Sequence, residues 1–279
     1  MKRKVIQQVT GYKTKDGAGV SLVRVLGSET IKEFDPILML DSFDSINPDD
    51  YIAGFPMHPH RGIETISYVY SGYMTHRDSL NNQDTIGNGE VQWMTAGSGI
   101  LHEERLPASN RMLGVQLWLN LPAKDKLVPP AYHSIKNDSI KEIMFDWGKI
   151  RLLAGDFGDQ KGYQSKYLPL NYYDIHINSN QEFELKTNEE HTVMMFTLLG
   201  EAYISGVYVK EKTAVKLSSG DTIDIKTTDK TAQILFVSSI PLKEPVAWGG
   251  PIVMNTREEL MKAYDDLRKG TFLQDKISY

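Results

Sequence analysis

The sequence predicts an all-β protein: two antiparallel β-barrel or sandwich domains with one short helix near the C-terminal end. Three observations carry that expectation. Short runs rich in β-branched and aromatic residues, bounded by Gly, Asn and Asp, recur along most of the 279 residues. Convincing helical periodicity occurs once, after Asn255. The second half also weakly repeats the first.

Taken in order, Gly19 to Leu26, Ile66 to Tyr70, Val115 to Leu119, Val193 to Leu199 and Ala202 to Val207 read as strands. The repeat runs from an apolar strand ending at Gly72 to Gly89-Glu90, and again from a strand ending at Gly200 to Gly220-Asp221. Pro-containing Leu121 to Pro130 separates the halves, which predicts one domain over 1–130 and a second over 131–279. The helix starts at a capping box of Thr256 and Glu259. It carries Leu260, Tyr264 and Leu267 on one face, places Arg268 and Lys269 in its last turn, and stops at Gly270.

Composition excludes several classes. Lys plus Arg total 31 against 36 acids, a net charge of −5, which argues against a general nucleic-acid binder. Cysteine is absent, so disulfides, thiolate nucleophiles and thiolate metal sites are ruled out. No apolar run approaches the ~20 residues that span a bilayer, and Met1-Lys2-Arg3-Lys4 leads into no signal-peptide core. A cytoplasmic protein is expected.

The chemistry concentrates in two segments. His58-Pro59-His60 places two imidazoles on one side of an extended chain, with Cα atoms ~6.5 Å apart. His102-Glu103-Glu104 does the same for an imidazole and a carboxylate. If the segments face each other, three nitrogens and one oxygen converge, a donor set suited to Fe(II), Mn, Ni, Cu or Zn. Glycines 54, 62, 97 and 99 allow the sharp turns that such threading needs. Pro59 implies a bulge or an edge strand. Glu64, four residues after His60, is a rival carboxylate. His76 reads as a structural or pocket-edge residue, and His133, His176 and His191 as ordinary surface or core histidines.

Phe55 to Thr65 resembles the H-P-H-R-G-x-E-T signature of the pirin family, and Gln92 to Glu104 resembles its Q-W-M-T-A-G-x-G-I-x-H-x-E segment. Asp35 to Asp41, Glu244-Pro245 and Gly250 to Thr256 are similar to further family runs. The resemblance implies a bicupin with one mononuclear ion in the N-terminal barrel, usually Fe(II). It implies His58, His60, His102 and Glu104 as metal ligands, with Glu64 a neighbour. Aligning the glycine landmarks puts Lys186 and Asn188 at the first two ligand positions of the second barrel. It puts Gln233 and Leu235 at the other two, so that barrel is expected to be metal-free.

Two functions fit. The resemblance extends to quercetin 2,3-dioxygenases, which open a flavonol ring with O₂ and release carbon monoxide. Glu104 is then also the catalytic base, and Phe43, Phe55, Met57 and Trp93 are candidate walls for a flat polyphenol. The alternative is a redox-sensing regulator acting through a protein partner. An open apolar cavity beside the ligands favours the first and a sealed site the second.

Overall fold

In the computed structural model, which describes residues 1–274, the sheets pair antiparallel and the strands group into two units. One unit holds Tyr12–Ile31, Ile37–Lys136 and the chain from Leu242 onward. The other holds Met1–Gly11, Lys32–Pro36 and Asn137–Pro241.

The first unit has a seven-stranded sheet. Its order is Ala131–Ile135, Glu90–Thr95, Ile63–Ser71, Met112–Asn120, Ile37–Ser45, Val20–Leu26 and Tyr12–Asp16. The central strand Met112–Asn120 is buried along its whole length, as MLGVQLWLN allows. A second sheet orders Phe55–His60, Ile100–Arg105, Met74–Asp78 and Gln83–Ile86. Here Pro59 lies on the edge strand Phe55–His60, where its missing N–H costs no ladder bond. The register also slips between His102 opposite His58 and Glu104 opposite Phe55, a bulge at Pro56-Met57 and not at Pro59, which pairs in register with Leu101.

The second unit repeats this order strand for strand. Its large sheet runs Val5–Val9, Ala214–Leu217, Thr192–Leu199, Ala232–Ser239, Leu170–Ile177, Gly148–Ala154 and Lys141–Phe145. Its small sheet runs Glu182–Lys186, Thr222–Thr227, Ala202–Ile204 and Val207–Val209. The repeat is therefore real, but the glycine alignment slipped by one strand. Gly89 leads into Glu90–Thr95, whereas Gly220 leads into Thr222–Thr227, the counterpart of Ile100–Arg105. Gln233 and Leu235 sit on the counterpart of Met112–Asn120 and do not match His102 and Glu104. Gly-acid turns open more than one hairpin, so they cannot fix register alone. The interior of this unit is filled by Leu185, Ile204, Ile223, Ile225 and Phe236, all at most 2% exposed.

The division also differs from a cut after residue 130. Val5–Val9 pairs with Ala214–Leu217 in the second unit, while Ala131–Ile135 pairs with Glu90–Thr95 in the first. The helix Arg257–Lys269 forms as expected, with a reciprocal Thr256/Glu259 capping box and Gly270 left-handed at φ 70°. It belongs, however, to the first unit, where Ala263 packs with Ile252, Met254 and Phe272. Strand periodicity states that a segment pairs, not with which sheet. Among the described residues no helix is long and apolar enough to cross a membrane.

Candidate metal centre

The HPH and HEE segments are direct neighbours in the small sheet of the first unit. Gly62 lets the chain turn after the first of them. Its φ is +80°, and a Cβ there would stand 2.0 Å from the Val253 carbonyl oxygen. Arg61 anchors the turn. Buried at 2% exposure, it donates to the carbonyls of Ser98 (2.6 Å) and Phe272 (2.8 Å) and to Asp266 (2.7 Å), and it stacks on the Phe272 ring.

His58, His60 and His102 bring one nitrogen each within 4.8 Å of the others. Their hydrogen bonds identify the atoms that converge. Nδ1 of His58 meets the Pro56 carbonyl at 2.8 Å, and Nδ1 of His60 meets the Pro251 carbonyl at 2.9 Å. Carbonyls only accept, so both Nδ1 atoms carry hydrogen and both Nε2 atoms are bare in the neutral rings. The bare Nε2 atoms lie 3.0 Å apart, and Nε2 of His102 lies 3.1 Å from that of His58. Lone pairs so close repel unless a cation lies between them. The donor set thus fits a divalent ion. Burial, reinforced by charge at His58, pushes His60 down to about 3; burial also takes His102 well below its usual range. Neutral imidazole is the form that binds metal.

Glu104 is 2% exposed and lines the same cavity, but its carboxylate is outside the histidine cluster. Two amides hold it. Gln92 Nε2 donates to Oε1 at 2.5 Å, and Gln116 Nε2 donates to both oxygens at 3.0 Å. The Trp118 indole N–H donates to Gln116 Oε1 at 3.2 Å, which fixes that amide with its NH₂ toward Glu104. Gln116 and Trp118 are two residues apart on one strand face, and that i, i+2 pattern was legible in the sequence.

The rival carboxylate Glu64 is engaged elsewhere. It accepts from the Thr95 hydroxyl at 2.6 Å, and burial raises its pKa. His76 is fully buried and lies 3.4 Å from Nδ1 of His102, behind the cluster. His176 bonds Asp174 in the second unit, and His133 is exposed on an edge strand.

A cavity of about 640 Å³ opens beside the cluster, with His58, His60, Glu104 and Gln116 on one side. Phe55, Trp118, Trp248 and Tyr12 supply aromatic wall, and the two indoles have centroids 5.7 Å apart. Arg24 sits in the cavity between Asp16 (2.7 Å) and Asp41 (2.8 Å). Burial pushes Asp41 up to about 6 despite that partner. Of the expected walls, Phe55 is in place. Phe43 and Trp93 are core residues, and Met57 is exposed outside the cavity. Trp118 and Trp248, absent from that expectation, take their place.

Comparison with known proteins agrees with this geometry. A pirin family model matches residues 19–119, and a pirin C-terminal cupin domain model matches residues 172–273. The chain belongs to the pirin family. A pirin-like protein of Caulobacter vibrioides is 38% identical over 97% of this chain and 99% of its own. A Pseudomonas aeruginosa relative, provisionally named a quercetin 2,3-dioxygenase, is 38% identical over 96% of this chain and 97% of its own. The crystal structure of an Acinetobacter baumannii quercetin 2,3-dioxygenase matches with a TM-score of 0.90 and 32% identity, covering 98% of this chain and 99% of the other. As a pirin, the chain is a bicupin with a three-histidine cluster compatible with a single metal ion.

Proposed function

We propose that this pirin is a metal-dependent dioxygenase of the quercetin 2,3-dioxygenase type, acting on flavonols with O₂. The observation that carries the reading is the aromatic-walled cavity lined by His58 and His60, two of the three clustered histidines, and by Glu104. A redox sensor that signals through its surface needs no such cavity.

In this reading His58, His60 and His102 hold one divalent ion through Nε2, with Fe(II) the first candidate and Glu104 as fourth ligand. When bound, the ion supplies Lewis acidity and a meeting point for an aromatic hydroxyl and O₂. The protein does the rest. Phe55, Trp118 and Trp248 take a flat ring system and exclude water from it. Glu104 accepts the proton of the flavonol 3-hydroxyl at a carboxylate oxygen. The amides of Gln92 and Gln116 hold that carboxylate ready, at the cavity wall. Asp16, Glu29 and Asp41 outnumber Arg24 in the cavity, which favours a neutral, hydroxyl-rich substrate over an anionic one.

The test is anaerobic loading with Fe(II), followed by O₂ uptake against a panel of flavonols. Uptake coupled to flavonol loss and carbon monoxide release is expected. An iron-loaded protein that consumes no O₂ with any flavonol overturns the enzymatic reading in favour of the regulatory one.

A further inference from the structure

The three cluster imidazoles are not supported alike. His58 and His60 each send Nδ1 to a backbone carbonyl. Nδ1 of His102 instead faces Nδ1 of His76 at 3.4 Å. His76 is fully buried and lies flat against Tyr132, with ring centroids 4.1 Å apart and planes 11° apart. Its Nε2 meets Asp78 Oδ2 at 2.9 Å. Asp78 Oδ1 accepts from the backbone N–H groups of Leu80 (2.9 Å) and Asn82 (3.0 Å), and Oδ2 also accepts from Asn82 Nδ2 (2.9 Å). Neighbouring strands build the line: His102 stands across from Asp78, and Glu104 across from His76.

Hydrogens along this line can be assigned from one end. Asp78 accepts from two backbone N–H groups and from the Asn82 amide, and three such donors favour the ionised carboxylate. An ionised carboxylate only accepts, so His76 carries its hydrogen on Nε2 and leaves Nδ1 bare. That bare nitrogen selects hydrogen on Nδ1 of His102. His102 then turns a bare Nε2 toward His58 and His60.

We propose that Asp78 and His76 are positioning residues that set the tautomer of His102, so that the third ligand presents its lone pair to the metal. The proposal rests on the metal-centre reading above. A histidine ligand commonly has its far nitrogen fixed by a carboxylate or carbonyl, which orients the ring and raises its basicity. Here a second imidazole is inserted between carboxylate and ligand. The consequence is specific. A backbone carbonyl cannot be reversed by a side-chain exchange, but this two-residue line can.

Asp78→Asn reverses it. The amide oxygen keeps the two backbone bonds at the Oδ1 position, which places NH₂ where Oδ2 stood. That group donates to His76 Nε2, moves the His76 hydrogen to Nδ1, and so drives the His102 hydrogen to Nε2, where it blocks the ion. An isosteric Asp→Asn exchange traps the wrong tautomer in the same way at a catalytic His–Asp pair. The merely structural alternative is that Asp78 only ties the turn through residue 82. Asn82→Ala tests that, because it removes one bond to the same oxygen without touching the imidazoles.

The experiment combines ¹⁵N NMR of the histidine ring nitrogens in metal-free protein with zinc affinity measured against a chromophoric chelator. The wild type should show His102 hydrogen on Nδ1 and His76 hydrogen on Nε2. Asp78→Asn should invert both and weaken zinc ~10–100-fold. Asn82→Ala should lower thermal stability and leave tautomers and zinc affinity unchanged. Unchanged affinity in folded Asp78→Asn, or equal loss in Asn82→Ala, overturns the proposal. If Asp78→Asn does not fold, the wild-type spectrum decides alone, and a His102 hydrogen on Nε2 overturns it. A wild type that holds no zinc overturns the metal-centre reading itself, and the tautomer proposal with it.

Discussion

Glu104→Gln changes one atom in shape-conserving fashion, and its surroundings set the outcome. The carboxylate accepts one bond from Gln92 and two from Gln116. Gln116 cannot turn its oxygen inward, because the Trp118 indole N–H already occupies that oxygen. A carboxamide at 104 therefore sets an NH₂ against the Gln116 NH₂ or gives up the bonds from that side. If its oxygen takes the Oε1 position, the Gln92 bond survives and the 3.0 Å contact at Oε2 becomes donor against donor. Losing one charge-assisted bond costs ~1.5–3 kcal/mol. A neutral amide is cheaper to bury than a carboxylate, which returns part of that. The net expectation is about 1–2 kcal/mol of lost stability, a Tm drop of ~2–8 °C in a chain of this size. Turnover should fall by ~10²–10⁴, since the amide accepts no proton, while the three imidazoles still retain iron. Urea unfolding, iron content and flavonol-dependent O₂ uptake on one preparation measure all three. Unchanged stability would refute the amide cradle. Full activity would refute Glu104 as proton acceptor and pass that role to Glu64.

Arg61→Met should cost ~3–5 kcal/mol in urea unfolding, because it strands the Ser98 and Phe272 carbonyls and Asp266 at once; a loss under 1 kcal/mol would mean the bonds are not formed together. The metal-free protein should be acid-labile. His60 is held at about 3, against 6.5 for a free imidazole, so between those values the unfolded chain binds more protons. Its contribution is fully present above pH 6.5 and is lost as pH falls toward 3. It is roughly 4–5 kcal/mol at the extreme, and saturating zinc should flatten the profile. A metal-free stability that is level from pH 7 to 4 would contradict this. His60→Ala should abolish zinc retention through gel filtration while His133→Ala, exposed on its edge strand, leaves it intact; equal retention would dismiss His60 as a ligand.

The strands, the helix cap and the histidine triad were legible because each is written in local spacing. His58 and His60 share a side by the i, i+2 rule, and Thr256 with Glu259 close a turn three residues long. What local spacing does not encode is the partner. Glu104 shares its strand face with His102, yet Gln92 and Gln116 claim its carboxylate from two other strands. His76 lacks a ligand neighbour in sequence and gains one only because Met74–Asp78 pairs with Ile100–Arg105. The glycine landmarks slipped by one strand for the same reason: a turn residue marks a turn and carries no address.

The missing addresses converge at the C-terminal end, and this changes what the candidate metal centre consists of. The carbonyl that fixes the His60 tautomer comes from Pro251, 191 residues further along the chain. Trp248 and Pro251 wall the cavity. The Arg61 side chain, next to His60, is bound by Asp266 of the helix and by Phe272 just beyond it. The Lys126 ammonium donates to both the Gly62 and the Val253 carbonyls and so joins the HPH turn to the same segment. A cut after residue 130 separates all of this from the strand that carries His60 and would leave that imidazole without its Nδ1 partner, able to take either tautomer. Residues 242–272 are thus a supporting layer of the site at His58 and His60. Its Trp248-Gly249-Gly250-Pro251 run supplies one wall of the cavity and the one carbonyl that points the His60 lone pair inward.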